Sequence, residues 1–179
     1  MKKTALLVVD FVNEFVSGNV KSKRALHTIK PVCGLITAMR KKGYPIIFVN
    51  DTHDEKDQEL KIWGKHSMRG SKASKIIPEI KVSKKDIILE KHYYSAFFKT
   101  KLLSSLKKLK IDTLIIAGLY LNICVKFSII DAYLNGYKVK VALGATDAFT
   151  LESYTQSIAE IKSITDAKFI DYKKLIKDL

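Results

Sequence analysis

Three reactive side chains fall just past apolar runs that lie far apart in the chain: Asp10 after Ala5–Val9, Lys91 after Ile87–Leu89, and Cys124 after Leu114–Ala117. Brought together, an acid, an amine and a thiol could carry out nucleophilic catalysis. The thiolate would attack, the carboxylate would move its proton, and the ammonium would stabilise both charges. Cys124 follows the turn Gly118-Leu119-Tyr120-Leu121-Asn122, after which helical spacing begins. With Asn122 as an N-cap, the cysteine lies in a first helical turn, where unpaired backbone N–H groups favour the thiolate and lower its pKa. Asp10 directly follows Val8 and Val9, so partial burial is expected to raise its pKa into a useful acid/base range. Each residue also has a plainer reading: an inert buried cysteine, a capping or loop aspartate, one more surface lysine. Cys33, in the middle of an apolar helical stripe, reads as core.

A second constellation is Asp51-Thr52-His53 followed by Trp63-Gly64-Lys65-His66. Alternation places Asp51 and His53 on one side of an extended segment, and His66 could supply the third ligand of an open divalent-metal site. Surface histidines in a polar loop are the competing reading. His27 and His92 lack such company and read as structural or surface residues. Trp63, the sole tryptophan, could wall an aromatic pocket or pack its loop onto the domain.

The elements that must position these residues alternate. Ala5–Val9, Pro45–Val49, Ile87–Leu89, Leu114–Ala117 and Val139–Leu143 are continuous apolar runs of strand length, each expected to be buried on both faces. Helical spacing separates them: Ile29 to Met39, beginning near Thr28 so that Pro31 falls in the opening turn, then Leu102 to Leu109, then Ile123 to Leu134. Gly43 and Gly136 stand where carboxyl caps are expected. A helix around Ser153–Ser163 and a short strand at Lys168–Ile170 complete the pattern. The alternation predicts an α/β fold, a three-layer α/β/α doubly wound and mostly parallel sheet, formed by residues 1–179 as a single domain. In such sheets ligands bind beyond the carboxyl ends of the strands, where Asp10, Asp51, Glu90, Lys91, the segment Gly118–Cys124 and Asp147 fall. The irregular stretch from Asp51 to Lys85 is long enough to carry function.

Composition narrows the class. Hydrophobic residues make up 47% and charged residues 28% of 179, with 8 Gly and 3 Pro, which excludes disordered and collagen-like chains. No apolar run approaches the roughly 20 residues of a membrane span. Asp10 interrupts the first apolar stretch too early for a signal peptide, so a cytoplasmic location is expected. Two cysteines provide no disulfide framework. The net charge of +14 raises a polyanion-binding alternative, but only three of 32 basic residues are arginines and the lysines are scattered, as on a solvated surface.

With these residues in view, the sequence resembles the isochorismatase-like superfamily of cysteine hydrolases, which includes nicotinamidases and N-carbamoylsarcosine amidases. The matching pieces span nearly the whole chain: A-L-L-V-V-D-F-V-N-E-F, V-N-D-T-H-D with W-G-K-H-S-M-R-G-S, L-E-K-H-Y-Y-S-A-F-F-K-T, and G-L-Y-L-N-I-C-V with D-A-Y-L-N-G-Y. The resemblance implies a catalytic Asp10, Lys91 and Cys124, and a cis peptide joining Leu119 to Tyr120. It also implies an oxyanion hole from the Tyr120 and Cys124 amides and substrate contacts from Phe15, Trp63 and Tyr120. Asp51, His53 and His66 match the family's divalent-metal ligands, with zinc ahead of iron or manganese. No organic cofactor is expected. Departures fall at Gly64 and Ser67, where nicotinamidases commonly have proline and cysteine, and at Leu121 and Ser128, where threonine is frequent.

The implied activity is hydrolysis of a small-molecule C–N amide bond through a thioester, with release of ammonia. Nicotinamide-like amides come first and N-carbamoyl compounds next. Isochorismatase chemistry ranks lower because the metal-type residues serve no purpose in vinyl-ether cleavage. The family also implies a homo-oligomer, without a specific nucleic-acid or membrane partner. A nucleotide-binding module on a similar sheet would need a glycine-rich turn after the first strand, where Asp10-Phe11-Val12-Asn13-Glu14 offers bulk and negative charge.

Overall fold

A computed structural model describes residues 3–179. Its elements run β1 (Thr4–Val9), α1 (Asn13–Ser17), α2 (Ala25–Lys41), β2 (Ile46–Asp51), α3 (Leu60–Trp63), β3 (Ile87–Lys91), α4 (Leu102–Lys108) and β4 (Thr113–Leu119). A π-turn (Leu121–Val125) leads into α5 (Lys126–Leu134), then β5 (Lys138–Asp147), α6 (Leu151–Ile164), β6 (Lys168–Asp171) and α7 (Tyr172–Lys177). All six strands pair in parallel in the order β3-β2-β1-β4-β5-β6. The order reverses between β1 and β4, the position at which such sheets open a crevice.

The two-residue period of β1 divides the core. Ala5, Leu7 and Val9 pack on one face with Leu102 and Leu106 of α4, Ile129 and Ala132 of α5, and Ile161 of α6. Leu6 and Val8 pack on the other with Val32, Leu35 and Met39 of α2 and Leu175 of α7. Three layers result. Among the described residues no helix is long and apolar enough to cross a membrane.

Several details differ from the sequence reading. α2 starts at Ala25, three residues before Thr28, and places Pro31 in its second turn. Ala25 and Thr28 are buried and extend the apolar face toward the amino end, and the Thr28 hydroxyl donates to the Ala25 carbonyl at 2.7 Å. An interior proline costs about 3 kcal/mol, whereas each fully buried Leu, Val or Met contributes about 1.5–3 kcal/mol, so Val32, Leu35 and Met39 outweigh it. β3 is an edge strand with Ile88 and Glu90 exposed, not a strand buried on both faces. Gly43 and Gly136 do end α2 and α5: Tyr44 N–H donates to the Met39 carbonyl and Tyr137 N–H to the Ala132 carbonyl, both at 3.0 Å.

The 35-residue stretch after β2 folds back over the strand ends. His53 N–H donates to the Ser67 carbonyl at 3.0 Å and Arg69 N–H to the His53 carbonyl at 2.9 Å, while Ile77 N–H donates to the Phe11 carbonyl at 3.0 Å. These bonds bring His66 back beside His53.

Candidate active site

Asp10, Lys91 and Cys124 converge at the crevice. Asp10 leaves β1 with φ 58°, in the left-handed region that aspartate tolerates better than most residues. Its Oδ1 accepts the Asp51 N–H at 2.7 Å, and its Oδ2 lies 2.9 Å from Lys91 Nζ. Lys91, the last residue of β3, also reaches Asp51 Oδ1 at 3.0 Å and Cys124 Sγ at 3.6 Å. Asp10 and Lys91 are wholly buried and Cys124 nearly so. The close approach of β1 and β4 sets these distances. Val9 pairs with Gly118, whose φ is 151°, and a Cβ on Gly118 would lie 2.4 Å from the Val9 carbonyl oxygen. The next bond but one, Leu119–Tyr120, is cis.

Burial pushes Asp10 up to about pKa 6; Lys91 opposes this and Asp51 adds to it. Lys91 is held well above the ordinary lysine range, because Asp10 and Asp51 outweigh the cost of burying its charge. For Cys124 the structure corrects the sequence reading. Asn122 is not an N-cap: the cysteine sits in the π-turn, whose first flanking residue is Tyr120 with no side-chain cap. Burial raises the thiol well above its ordinary value, with Asp10 and Asp51 adding and Lys91 opposing. The resting sulfur keeps its proton. Asp10 is the carboxylate beside it.

Asp51, His53 and His66 also meet. His53 Nε2 lies 3.1 Å and His66 Nε2 3.3 Å from Asp51 Oδ2. The opposite ring nitrogens are engaged: His53 Nδ1 with Asp57 Oδ2 at 3.1 Å, His66 Nδ1 with the Gly64 carbonyl at 2.9 Å. With Nδ1 as the donor in each ring, two Nε2 lone pairs and a carboxylate oxygen face one another. Among the described residues, neither Asp51 Oδ2 nor His53 Nε2 has a hydrogen-bond partner. The site therefore attracts positive charge. Burial opposes protonation of both histidines, but Asp51 outweighs it and raises both. Burial also opposes ionisation of Asp51, yet Lys91 and the two rings hold it well below the usual carboxylate range. Glu59, pushed up to about pKa 7 chiefly by burial, brings a fourth ligand atom within 4.8 Å of the others. Two imidazoles and two carboxylates suit zinc, iron(II) or manganese(II).

A narrow cavity is lined by Cys124 together with Asp51, Glu59 and His66 of the metal-type cluster. Phe15, Trp63 and Tyr120 line it, together with Tyr94, Ile123 and Phe149. Trp63 and Phe149 are nearly parallel, with an interplanar angle of 18° and ring centres 6.0 Å apart, and Phe149 lies 4.0 Å from Tyr120. Trp63 Nε1 donates to the Tyr94 hydroxyl at 3.1 Å, which holds the loop tryptophan as a wall.

Not every strand-end residue points inward. Asp147 pairs with Arg24 at 2.7 Å, and Glu90 pairs with Arg69 outside the site. His27 is exposed, whereas His92 is tied to Asp57 beside the metal-type cluster. Glu59, Asp57, Tyr94 and Phe149 were not singled out from the sequence. Phe149, two residues past β5, obeys the strand-end rule and could have been. Glu59 and Asp57 lie in the irregular stretch, where spacing gives no guide.

A family model described as "Isochorismatase domain" matches residues 4–171. An N-carbamoylsarcosine amidase structure from Thermoplasma acidophilum is 36% identical, with a TM-score of 0.88, and the match covers 96% of this chain and 97% of that one. Nicotinamidase 3 of Arabidopsis thaliana is 29% identical, covering 99% of this chain and 89% of its own length. A second Arabidopsis thaliana protein, bearing the name "Probable inactive nicotinamidase", is 28% identical, covering 91% of this chain and 90% of its own length.

Proposed function

Because the chain belongs to the isochorismatase family of hydrolases, we propose that it is a cysteine-dependent amidohydrolase acting on a small neutral aromatic amide of the nicotinamide type. The observation that carries this reading is Lys91 Nζ, set between Asp10 Oδ2 at 2.9 Å and Cys124 Sγ at 3.6 Å, with Cys124 lining an aromatic cavity.

In the proposed reaction Asp10 takes the Cys124 proton as the thiolate attacks the amide carbonyl carbon. Lys91 offsets the negative charge on both side chains. The Tyr120 and Cys124 amides are assigned to the oxyanion. Asp10 then returns its proton to the departing nitrogen, ammonia leaves, and a thioester remains on Sγ. Asp10 next takes a proton from water as its oxygen attacks the thioester, and the carboxylic acid leaves as the sulfur regains a proton. Asp51, His53 and His66, with Glu59 in reach, would hold a divalent ion, zinc ahead of iron or manganese. Bound there, such an ion supplies a Lewis acid that can fix a ring nitrogen or lower the pKa of a water.

Similarity to the Thermoplasma acidophilum enzyme favours a second reading, an N-carbamoyl substrate. The cavity wall argues for the first. Phe15, Trp63, Tyr94, Tyr120 and Phe149 line it, which suits a flat ring better than the short aliphatic chain of N-carbamoylsarcosine. Ammonia release should be measured on the metal-loaded protein with nicotinamide, pyrazinamide, benzamide and N-carbamoylsarcosine, with isochorismate cleavage in parallel. Release from the aromatic amides is expected, and Cys124→Ala should abolish it. Turnover of N-carbamoylsarcosine alone would install the second reading, and isochorismate cleavage alone would displace both. The family also leads us to propose a cytoplasmic homo-oligomer, which light scattering of the purified chain would test.

A further inference from the structure

We propose that Asp57 is a positioning residue for the metal centre and that His92 braces it, so that the pair fixes the orientation and tautomer of His53. This rests on the reading of Asp51, His53 and His66 as metal ligands. Arg69 has only donors, so its Nη2, 3.1 Å from His92 Nε2, makes that nitrogen the acceptor. His92 Nδ1 must then carry the hydrogen, which it directs at Asp57 Oδ2 at 2.7 Å. The same carboxylate oxygen receives the Asp54 N–H at 2.9 Å and faces His53 Nδ1 at 3.1 Å. An oxygen held by two donors on its own side accepts a third from His53. That places the His53 hydrogen on Nδ1 and leaves the Nε2 lone pair facing Asp51 Oδ2.

The outer end of this chain is itself anchored. Arg69 also holds Asp54 at 2.8 Å and pairs with Glu90. His92 directly follows Lys91, so one strand end carries both the lysine and the brace. His53 is wholly buried, whereas the Asp57 and His92 side chains are 19% and 30% exposed. The brace reaches the metal-type cluster from the solvent side without entering the substrate cavity.

Outer partners of this kind change metal affinity by about 10–100-fold when removed. The test uses the full chain, stripped of metal with a chelator, with the zinc dissociation constant read by competition against a chromophoric chelator and the apo-protein melting temperature read alongside. Wild type should bind one zinc tightly and His66→Ala should lose it. Asp57→Ala should weaken zinc by about 10–100-fold. Asp57→Asn, whose amide oxygen still accepts from His53, should stay closer to wild type than Asp57→Ala. His92→Ala should weaken zinc by about 3-fold or more while leaving the apo melt unchanged, which a purely structural role would not do. Zinc binding by His92→Ala within twofold of wild type would overturn the brace, even if Asp57→Ala failed to fold. Failure of wild type to bind zinc, or undiminished binding by His66→Ala, would overturn the metal reading and the brace with it.

Discussion

Replacing Lys91 with methionine isolates the electrostatic balance on which the site depends. The substitution roughly keeps the volume and removes two buried ion pairs, to Asp10 at 2.9 Å and to Asp51 at 3.0 Å. Removing one partner of a buried pair typically costs about 3–5 kcal/mol, because the remaining charge has lost both water and counter-ion. For a chain of this size about 2–4 °C of melting temperature accompanies each kcal/mol, so Lys91→Met should melt roughly 6–20 °C below wild type at pH 8. The pH dependence follows from Asp10. Burial already raises its folded pKa to about 6 against Lys91's opposition, and without Lys91 it rises further. An acid whose folded pKa lies above its unfolded value disfavours the fold above that pKa, and the penalty fades as it takes up a proton. The deficit should therefore be largest at pH 8 and less than half as large at pH 5. Calorimetry of metal-free wild type and variant at the two pH values would measure it. A deficit of equal size at both, or none at pH 8, would refute the reasoning.

Further outcomes follow from the same geometry. With Asp10 as the base, kcat/KM should fall on the acid side with an apparent pKa of about 6, and somewhat lower with a divalent ion bound, since the ion offsets the Asp51 charge that helps raise Asp10. An acid limb tracking the value of about 7 at Glu59, and abolished by Glu59→Gln, would assign the ionisation elsewhere. Phe149→Ala removes one wall of the aromatic cavity; at about 0.5–1.5 kcal/mol per aromatic pair, KM for nicotinamide should rise about 2- to 13-fold with a smaller change in kcat. Unchanged KM would place the substrate ring elsewhere. Gly118→Ala would set a methyl group 2.4 Å from the Val9 carbonyl at φ 151°, costing about 2–5 kcal/mol and displacing Asp10 from Cys124. A wild-type melting temperature in that variant would contradict the account of how β1 and β4 set the site.

The meeting of Asp10, Lys91 and Cys124 was legible because burial and topology act through residue type. Val8-Val9-Asp10 and Leu89-Glu90-Lys91 each end an apolar run in a charge, and in a parallel sheet those charges gather at one edge. Asp51 and His53 were visible through alternation at the end of β2. What escaped lies where tertiary contacts decide. Glu59 and Asp57 take their roles only once the chain after β2 doubles back through the Ser67 and Arg69 hydrogen bonds. His92 has no nearby partner in sequence, and its meaning comes from Asp57, 35 residues earlier. The helical spacing after Asn122 predicts an ordinary capped turn, and the chain forms a π-turn there with no side-chain cap. Burial, with the two neighbouring carboxylates adding to it, reverses the expected shift.

The most direct test of the central claim is to mix the metal-loaded protein with excess nicotinamide, quench in acid within the first turnovers, and map the digested peptides by mass spectrometry. One acyl group on the peptide carrying Cys124, absent in Cys124→Ala and on the Cys33 peptide, is the predicted result. Ammonia release with no acylated cysteine, undiminished in Cys124→Ala, would contradict it.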